Sequence, residues 1–496
     1  MSKLPEIHLS IVQPAGYVHS LGFLDPARYF RHQLRRMGAN VTLGKNRLRH
    51  DAVNLVFGAH LGFDPALRER HACVFVNLEQ LGAGGAQVSA AYRQLLASSA
   101  VVDYDADNVP AYAADPSDVP VVPLLHAPYL GAGELPLEER PIDLLFVGSM
   151  NERRKTLIER IEAQGIQVAL FDSPLYGEER DQYVRQSKAV FNAHFYPSSR
   201  FEQARVSHCL SLGTPVISER GAATRPHAAF EANVFWWREH ELEAFFAGRF
   251  GTPAFYAEAR AQLERFQAFD PIEAYADLLA FIAGFGGAHH ERRPAAPWRP
   301  QRINLGSGKD YKSGWLNLDV LDRTQPDLVL DLGQPQAWPL AAQGAFGGAL
   351  VLEEGSIDLI HANNVLEHVP DLPQLMGNCL ALLKTGGTLE IEVPYEKSPT
   401  AWQDPTHLRA LNENSWIYYT DWFWYLGWFE HRFEIVHSTW LDLQIKPCAK
   451  DQAAFMRVHL RKIETTPRER MTARTMCADF GGVADDESAA VLACAA

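Results

Sequence analysis

The chain has 496 residues, 47% hydrophobic and 21% charged, with a formal net charge of −14. That length exceeds what one hydrophobic core serves, and the composition excludes a fibrous or wholly disordered chain, so two or three soluble globular domains are expected. The acidic balance excludes broad binding to nucleic-acid phosphates, which clustered Lys and Arg drive, but leaves room for small anions held by a few local donors.

The opening MSKLPEIHLS lacks the basic, apolar, small-residue order of a secretory signal, and no apolar run nears the roughly 18 residues of a bilayer span. The six cysteines (Cys73, Cys209, Cys379, Cys448, Cys477, Cys494) lack the paired spacings of a zinc site or disulfide scaffold. They read as reduced thiols of a cytoplasmic protein. A lipid-linked substrate leaves room for peripheral membrane association.

Strand-like and helix-like segments then alternate almost throughout, which predicts α/β domains. IHLSIV, ANVTL, AVNLVFGA and CVFVNLE predict the strands of a first half, residues 1–133. IDLLFVG, QVALFD, AVFNAHF, TPVIS and VFWW predict those of a second, 134–287. GGAHHERRPAAPWRP, Gly286 to Pro300, reads as a linker, with the boundary stretch itself at 288–300. A third domain is expected over 301–463, and 464–496 lose periodicity and read as a disordered tail.

In the second half, a strand ends in Gly148-Ser149 and opens a helix over Asn151 to Glu162 whose first turn carries Arg153, Arg154 and Lys155. Backbone amides at a helix start, reinforced by cations, suit a diphosphate. Further on, FEQARVSHCLSLGTPVISE begins a helix with Glu202 and Arg205 and ends in a Gly-x-Pro turn. A carboxylate at that helix start can accept from the ribose hydroxyls of a nucleotide. A solvated basic helix face is the plain alternative for residues 153–155.

Arg140 to Glu219 resembles the donor-binding half of GT-B glycosyltransferases, especially the branch related to spore-coat proteins, and VFVNLEQLG and VVDYDADN resemble that branch's acceptor half. The resemblance implies two Rossmann-like halves and a nucleotide-sugar donor held by Gly148, Arg154, Lys155, Glu202 and Arg205. Glu202 would take the ribose, and Arg154 with Lys155 the pyrophosphate. The family's paired glutamates are not both present. No metal is expected, since this fold generally needs none and no Asp-x-Asp motif stands in a suitable setting. His19, in AGYVHSLG, is nominated as base, with Glu79 and His60 as alternatives; a satisfied polar residue at a strand end is the competing reading of each.

In the third domain INLGSGKD runs a strand into Gly306 and Gly308, residues that tolerate positive φ and let a ligand approach the backbone. WLNLD places Asp319 at a second strand end, where it can accept both ribose hydroxyls. DLVLDL places Asp331 at a third, within reach of an adenine amino group. SIDLIHANNVLEHV supplies a fourth strand, Ile357 to His361, and then a helix with Leu372, Leu375, Met376, Cys379 and Leu383 on one face. Gly386-Gly387 is expected to end that helix and launch the strand TLEIEVP.

NLGSGKD, GWLNLD, VLEHV, LLKTGGTLEIEVP and DPTHLRAL together resemble the class I methyltransferases of bacterial polysaccharide gene clusters. The resemblance implies S-adenosylmethionine contacted by Gly306, Ser307, Gly308, Asp319, Asp331 and Asn363 or Asn364. Asp310 stands where many relatives have a third glycine. A sulfonium methyl needs alignment and a way to remove the acceptor's proton. His407 in QDPTHLR is the first candidate base, oriented by Asp404, against the alternative of a loop-capping histidine. His368 reads as a helix-start residue near the cofactor. The aromatic run Trp416 to Phe429 reads as packed core or lid rather than as an acceptor wall.

The sequence thus predicts a bifunctional glycan-modifying enzyme, joining sugar transfer from a nucleotide sugar to O-methylation of a saccharide or lipid-linked oligosaccharide. Two rivals remain: a methyltransferase with a non-catalytic glycan-binding module, and one acting on a protein or small molecule.

Overall fold

The structure is a computed structural model that describes residues 4–171, 173–292, 296–345 and 348–476. It divides into two compact units, Met1–Pro294 and Ala295–Ala496.

The first unit holds two five-stranded parallel sheets. In one, β1 (Ile7–Ile11), β2 (Val41–Lys45), β3 (Val53–Phe57), β4 (Ala72–Asn77) and β5 (Ala100–Asp103) lie in the order β2-β1-β3-β4-β5. β1, β3 and β4 are buried at every position. Central parallel strands are covered on both faces, which is why these segments are near-continuous apolar runs. In the other, β6 (Ile142–Phe146), β7 (Val168–Ala169), β8 (Ser187–Asn192), β9 (Val216–Glu219) and β10 (Phe235–Trp237) lie in the order β10-β9-β8-β6-β7.

The helix Ile272–Arg292 follows the second half yet packs on the first: Tyr275, Leu278 and Ile282 are buried in one cluster with Leu9, Phe30 and Leu55. A Cβ on Gly286 would stand 2.6 Å from Val53 Cγ2, so glycine there lets the helix press on β3. The linker expected from Gly286, and at 288–300, is therefore helix through Arg292; residues 293–295 lie outside the described residues. Two Rossmann-like halves with a returning C-terminal helix form the GT-B architecture.

The second unit is built on β11 (Arg302–Leu305), β12 (Leu316–Asp319), β13 (Leu328–Val329), a hairpin of β14 (Leu340–Gln343) and β15 (Ala349–Leu352), then β16 (Ile357–Asn363), β17 (Leu383–Pro394), β18 (His431–Leu441) and β19 (Phe455–Glu464). Its seven-stranded sheet has the order β13-β12-β11-β16-β17-β19-β18. β19 pairs antiparallel with both β17 and β18, and every other pair in the sheet is parallel. With the hairpin set aside this is the class I methyltransferase arrangement.

Two local expectations are corrected. The helix after β16 spans Leu372–Leu382, and Leu383 already opens β17. Gly386-Gly387 therefore lies inside that strand, where the β16–β17 register shifts; Gly386 has φ +88°, and a Cβ on Gly387 would meet Ile357 O at 2.9 Å. Part of the expected tail is the helix Pro467–Met476, tied down by an Arg432–Glu469 ion pair of 2.6 Å. Residues 477–496, with Cys477 and Cys494, lie outside the described residues. Among the described residues the cysteines are free, and no helix is long and apolar enough to cross a membrane.

Candidate active sites

In the second unit β11 runs into Gly306 (φ +60°) and Gly308 (φ +48°). A Cβ on Gly306 would stand 2.4 Å from Val365 Cγ2, so the turn is closed to any larger residue. Asp319, at the end of β12, is 7% exposed. Its Oδ2 accepts the Gly308 N–H at 2.8 Å and its Oδ1 the Leu321 N–H at 2.9 Å. Two backbone donors thus fix a carboxylate that keeps lone pairs for a ligand's hydroxyls.

Ser307 is buried and its N–H donates to Leu318 O at 2.9 Å. Just beyond β13, Asp331 Oδ1 accepts the Gly333 N–H at 2.8 Å. Asn364 (φ +52°) donates through Nδ2 to Asn363 Oδ1 at 2.9 Å, at the end of β16. Asp310 points its carboxylate outward to Lys312 Nζ at 2.6 Å. The candidate cofactor residues therefore gather at the carboxyl ends of adjacent parallel strands, where ligands of such sheets bind. The glycine cradle and the carboxylate behind it fit an adenosine.

The segment after β16, Val365 to Val369, is pinned between two of these turns: Val365 touches Gly306, and Val369 Cγ1 lies 3.3 Å from where a Gly333 Cβ would be. Within it Glu367 is 1% exposed, and neither carboxylate oxygen has a hydrogen-bond partner. Burial pushes its carboxyl up to about 7. The Leu408 N–H donates to Glu367 O at 2.8 Å and brings in the next loop. His407 Nε2 then lies 3.9 Å from Glu367 Oε1, and the His368 and His407 rings stand edge to face at 4.7 Å.

His407 Nδ1 lies 2.9 Å from Ala401 O, so it carries the proton and leaves Nε2 with a lone pair. Asp404, expected to orient His407, does not reach the ring. Its Oδ1 accepts from the Thr406 N–H and hydroxyl at 2.8 and 2.7 Å, a tight local turn that consumes it. The Ala401 carbonyl orients the ring instead. Sequence reasoning missed Glu367 altogether; the available signal was its adjacency to His368.

The aromatic run divides. Trp416, Tyr419 and Phe423 are buried, while Tyr418, Trp422 and Tyr425 form an exposed cluster with centroids 5.3 to 6.2 Å apart. Trp402, 70% exposed, donates through Nε1 to Glu396 O at 2.9 Å beside Ala401.

Two cavities of the first unit are lined by nominated donor residues. One, about 300 Å³, is lined by Glu79, Tyr104, Arg154, Glu202 and Arg205. The other, about 480 Å³, is lined by His19, Gly148, Phe171, Tyr176, Arg205 and His208. Ser149 and Arg205 belong to both.

Glu202 stands at the start of the helix Gln203–Ser211 and receives Asn192 Nδ2 at 3.0 Å and His194 Nδ1 at 3.2 Å. Burial acts to raise its carboxyl, but the His194 hydrogen bond and the charges of His194 and Arg205 outweigh it and hold the group below the usual range. Its Oε1 has no hydrogen-bond partner and lies 3.8 Å from Arg154 Nη2. Arg205 Nη1 donates to Asn192 Oδ1 at 3.0 Å, and its Nη2 lies 3.0 Å from where a Gly148 Cβ would be.

Arg154 and Lys155 differ from expectation. The Arg154 side chain is 1% exposed and donates to Ala193 O and Ser149 O at 3.1 and 2.7 Å, and burial lowers it to about 10. It braces the strand ends instead of reaching outward. Lys155 is 62% exposed, pairs with Glu159 at 4.0 Å and lines neither cavity. Asn151 caps the helix Glu152–Glu162, and one turn of helix turns Lys155 to solvent. Arg205 is the cation at the shared wall. Of the nominated bases, His19 Nδ1 bonds Tyr176 Oη at 2.8 Å in the larger cavity, while Glu79 lines the smaller one, 3.6 Å from His60 Nε2.

Residues 255–438 match the family model of a methyltransferase domain, a span that begins within the helix Pro253–Gln267 and ends within β18. The second unit, with its class I sheet and glycine-lined turn, has the fold of a class I methyltransferase and carries most of that match. No curated protein matches the chain. Among solved structures, the chain is similar to an S-adenosylmethionine-dependent methyltransferase from Mesorhizobium loti, at 16% identity over 35% of this chain and 96% of that one, with a TM-score of 0.22. It is similar to HepE of Anabaena in complex with UDP and glucose, at 12% identity over 56% and 100%, with a TM-score of 0.38. It is also similar to WaaG, a glycosyltransferase involved in lipopolysaccharide biosynthesis, at 14% identity over 56% and 100%, with a TM-score of 0.37.

Proposed function

We propose that the chain is a bifunctional, cytoplasmic enzyme of glycan assembly: the first unit transfers a sugar from a nucleotide donor, and the second methylates a hydroxyl of a saccharide, free or lipid-linked. The observation that carries the glycosyl-transfer reading is Glu202, 11% exposed in its side chain, whose Oε1 has no hydrogen-bond partner and which shares its cavity with Arg205. Glu202 accepts hydroxyl hydrogens of the donor, and Arg205, at the wall common to both cavities, takes the diphosphate. The aromatic Phe171 in the larger cavity offers a face for the base.

In the second unit, S-adenosylmethionine supplies an electrophilic methyl on a positively charged sulfur. Asp319 holds the ribose, Asp331 the adenine amino group, and the Gly306–Gly308 turn lies under the remainder. Exposed Trp402 offers a sugar ring a stacking face beside the His368–His407 pair. Carrying both sites on one chain raises the local concentration of the glycosylated product at the methylating site.

The test is calorimetric binding of nucleotide sugars to the full chain, with donor hydrolysis or transfer followed alongside. Binding with turnover is expected, with the affinity weakened about 10–100-fold and turnover lost in Glu202→Gln. Binding of oligosaccharide without any nucleotide-sugar turnover would instead make the first unit a glycan-binding module.

A further inference from the structure

Glu367, His368 and His407 each present a ligand-type atom, and these atoms lie within 4.8 Å of one another. A carboxylate this deeply buried is ordinarily paired or hydrogen-bonded, yet both Glu367 oxygens lack a partner. The two imidazoles are already committed on their other side. His407 Nδ1 donates to Ala401 O. The Thr406 hydroxyl gives its hydrogen to Asp404, so Thr406 Oγ1, 3.0 Å from His368 Nδ1, accepts from that ring. Both Nε2 lone pairs are therefore free, the way metal-ligating histidines are held by outer partners.

We infer that Glu367, His368 and His407 form a site for a divalent first-row transition ion, zinc being the best match to two imidazoles and one carboxylate. A tetrahedral ion with bonds of about 2 Å keeps its donors roughly 3.4 Å apart. The 3.9 Å between His407 Nε2 and Glu367 Oε1 closes to that with a small side-chain movement. Three protein ligands leave one position open, the pattern of a catalytic ion. Val365 and Val369 anchor the segment to the Gly306 and Gly333 turns, which sets the site beside those turns at the carboxyl ends of the strands.

Resting on the reading of this unit as a saccharide methyltransferase, the fourth ligand is an acceptor hydroxyl. Coordination acidifies it, and its proton passes to water. The freed oxygen pair forms the O–CH3 bond while the S–CH3 pair remains on sulfur, so S-adenosylmethionine leaves as neutral S-adenosylhomocysteine. One proton is released per methyl transferred. His407 then acts as an ion ligand and not as the base.

The full chain, stripped with a chelator and dialysed, is titrated with Zn2+ and with Co2+, whose visible absorption reports coordination. One equivalent of each is expected. Glu367→Gln and His407→Asn should weaken binding by more than the roughly 10–100-fold that loss of an outer partner causes, and Thr406→Val should fall within that range. His459→Asn, which alters the His437–His459 pair at 5.0 Å, should leave the affinity unchanged. S-adenosylhomocysteine binding, measured alongside by calorimetry, reports the cofactor site separately. Absence of stoichiometric metal binding in a chain that still binds S-adenosylhomocysteine, or wild-type metal affinity in Glu367→Gln, overturns the inference. Failure of the chain to bind S-adenosylhomocysteine would count against the methyltransferase reading instead.

Discussion

Gly306 and Val365 are packed so closely that a Cβ on the glycine would stand 2.4 Å from Val365 Cγ2. The glycine turn after β11 and the segment bearing Glu367 and His368 are thereby held together as one piece. Gly306→Ala adds both that clash and the strain of φ +60°. It is expected to weaken S-adenosylhomocysteine binding at least about tenfold and to cost roughly 1–3 kcal/mol of stability. Calorimetry and thermal melting read the two effects. Adding Val365→Ala should restore part of the affinity.

Glu202→Gln keeps the shape but removes the carboxylate that receives His194 and Asn192. Nucleotide-sugar affinity should fall about 10–100-fold, the loss of one or two charge-assisted hydrogen bonds. Lys155→Ala should leave it within about twofold, since an exposed i,i+4 pair contributes only tenths of a kcal/mol. Titration of the donor into both variants separates the roles.

Burial, with Arg49 and Arg47 nearby, pushes His8 down to about 4. Its folded value lies below its unfolded value, so the neutral ring's contribution is complete above about pH 6.5 and is lost as pH falls through 4. By pH 5 this one histidine should remove roughly 2 kcal/mol from the stability of the first unit. Denaturant melts at pH 7 and pH 5 should show that loss in the native chain and a smaller one in His8→Asn.

Trp402 leaves most of its surface in solvent beside the loop that carries Ala401 and His407. Trp402→Ala is expected to raise KM for a saccharide acceptor about 3–10-fold, the value of one aromatic contact, with little change in kcat. Steady-state kinetics at saturating cofactor would show it.

Much of this was legible because it is local. A strand running into Gly306 and Gly308, then Asp319 closing the next strand, is written in consecutive residues, as is the Asn151 cap of its helix. What escaped depends on long-range packing. Arg154 in a first helical turn reads as an outward cation, and only the fold buries it against β8. Gly286 reads as the start of a linker, but its small size serves the contact with Val53. Glu367 carries no local signal of its contact with His407, which lies forty positions later in the chain.

The most direct test is transfer of methyl-labelled S-adenosylmethionine by the full chain to a defined oligosaccharide acceptor, with the product hydrolysed and its sugars resolved by mass spectrometry. The label should be recovered as a methyl ether on a sugar oxygen and disappear in Asp319→Ala, which frees the Gly308 and Leu321 amides and removes the proposed ribose acceptor. Label found only on protein or on nitrogen, with every saccharide acceptor unmodified, would contradict the account.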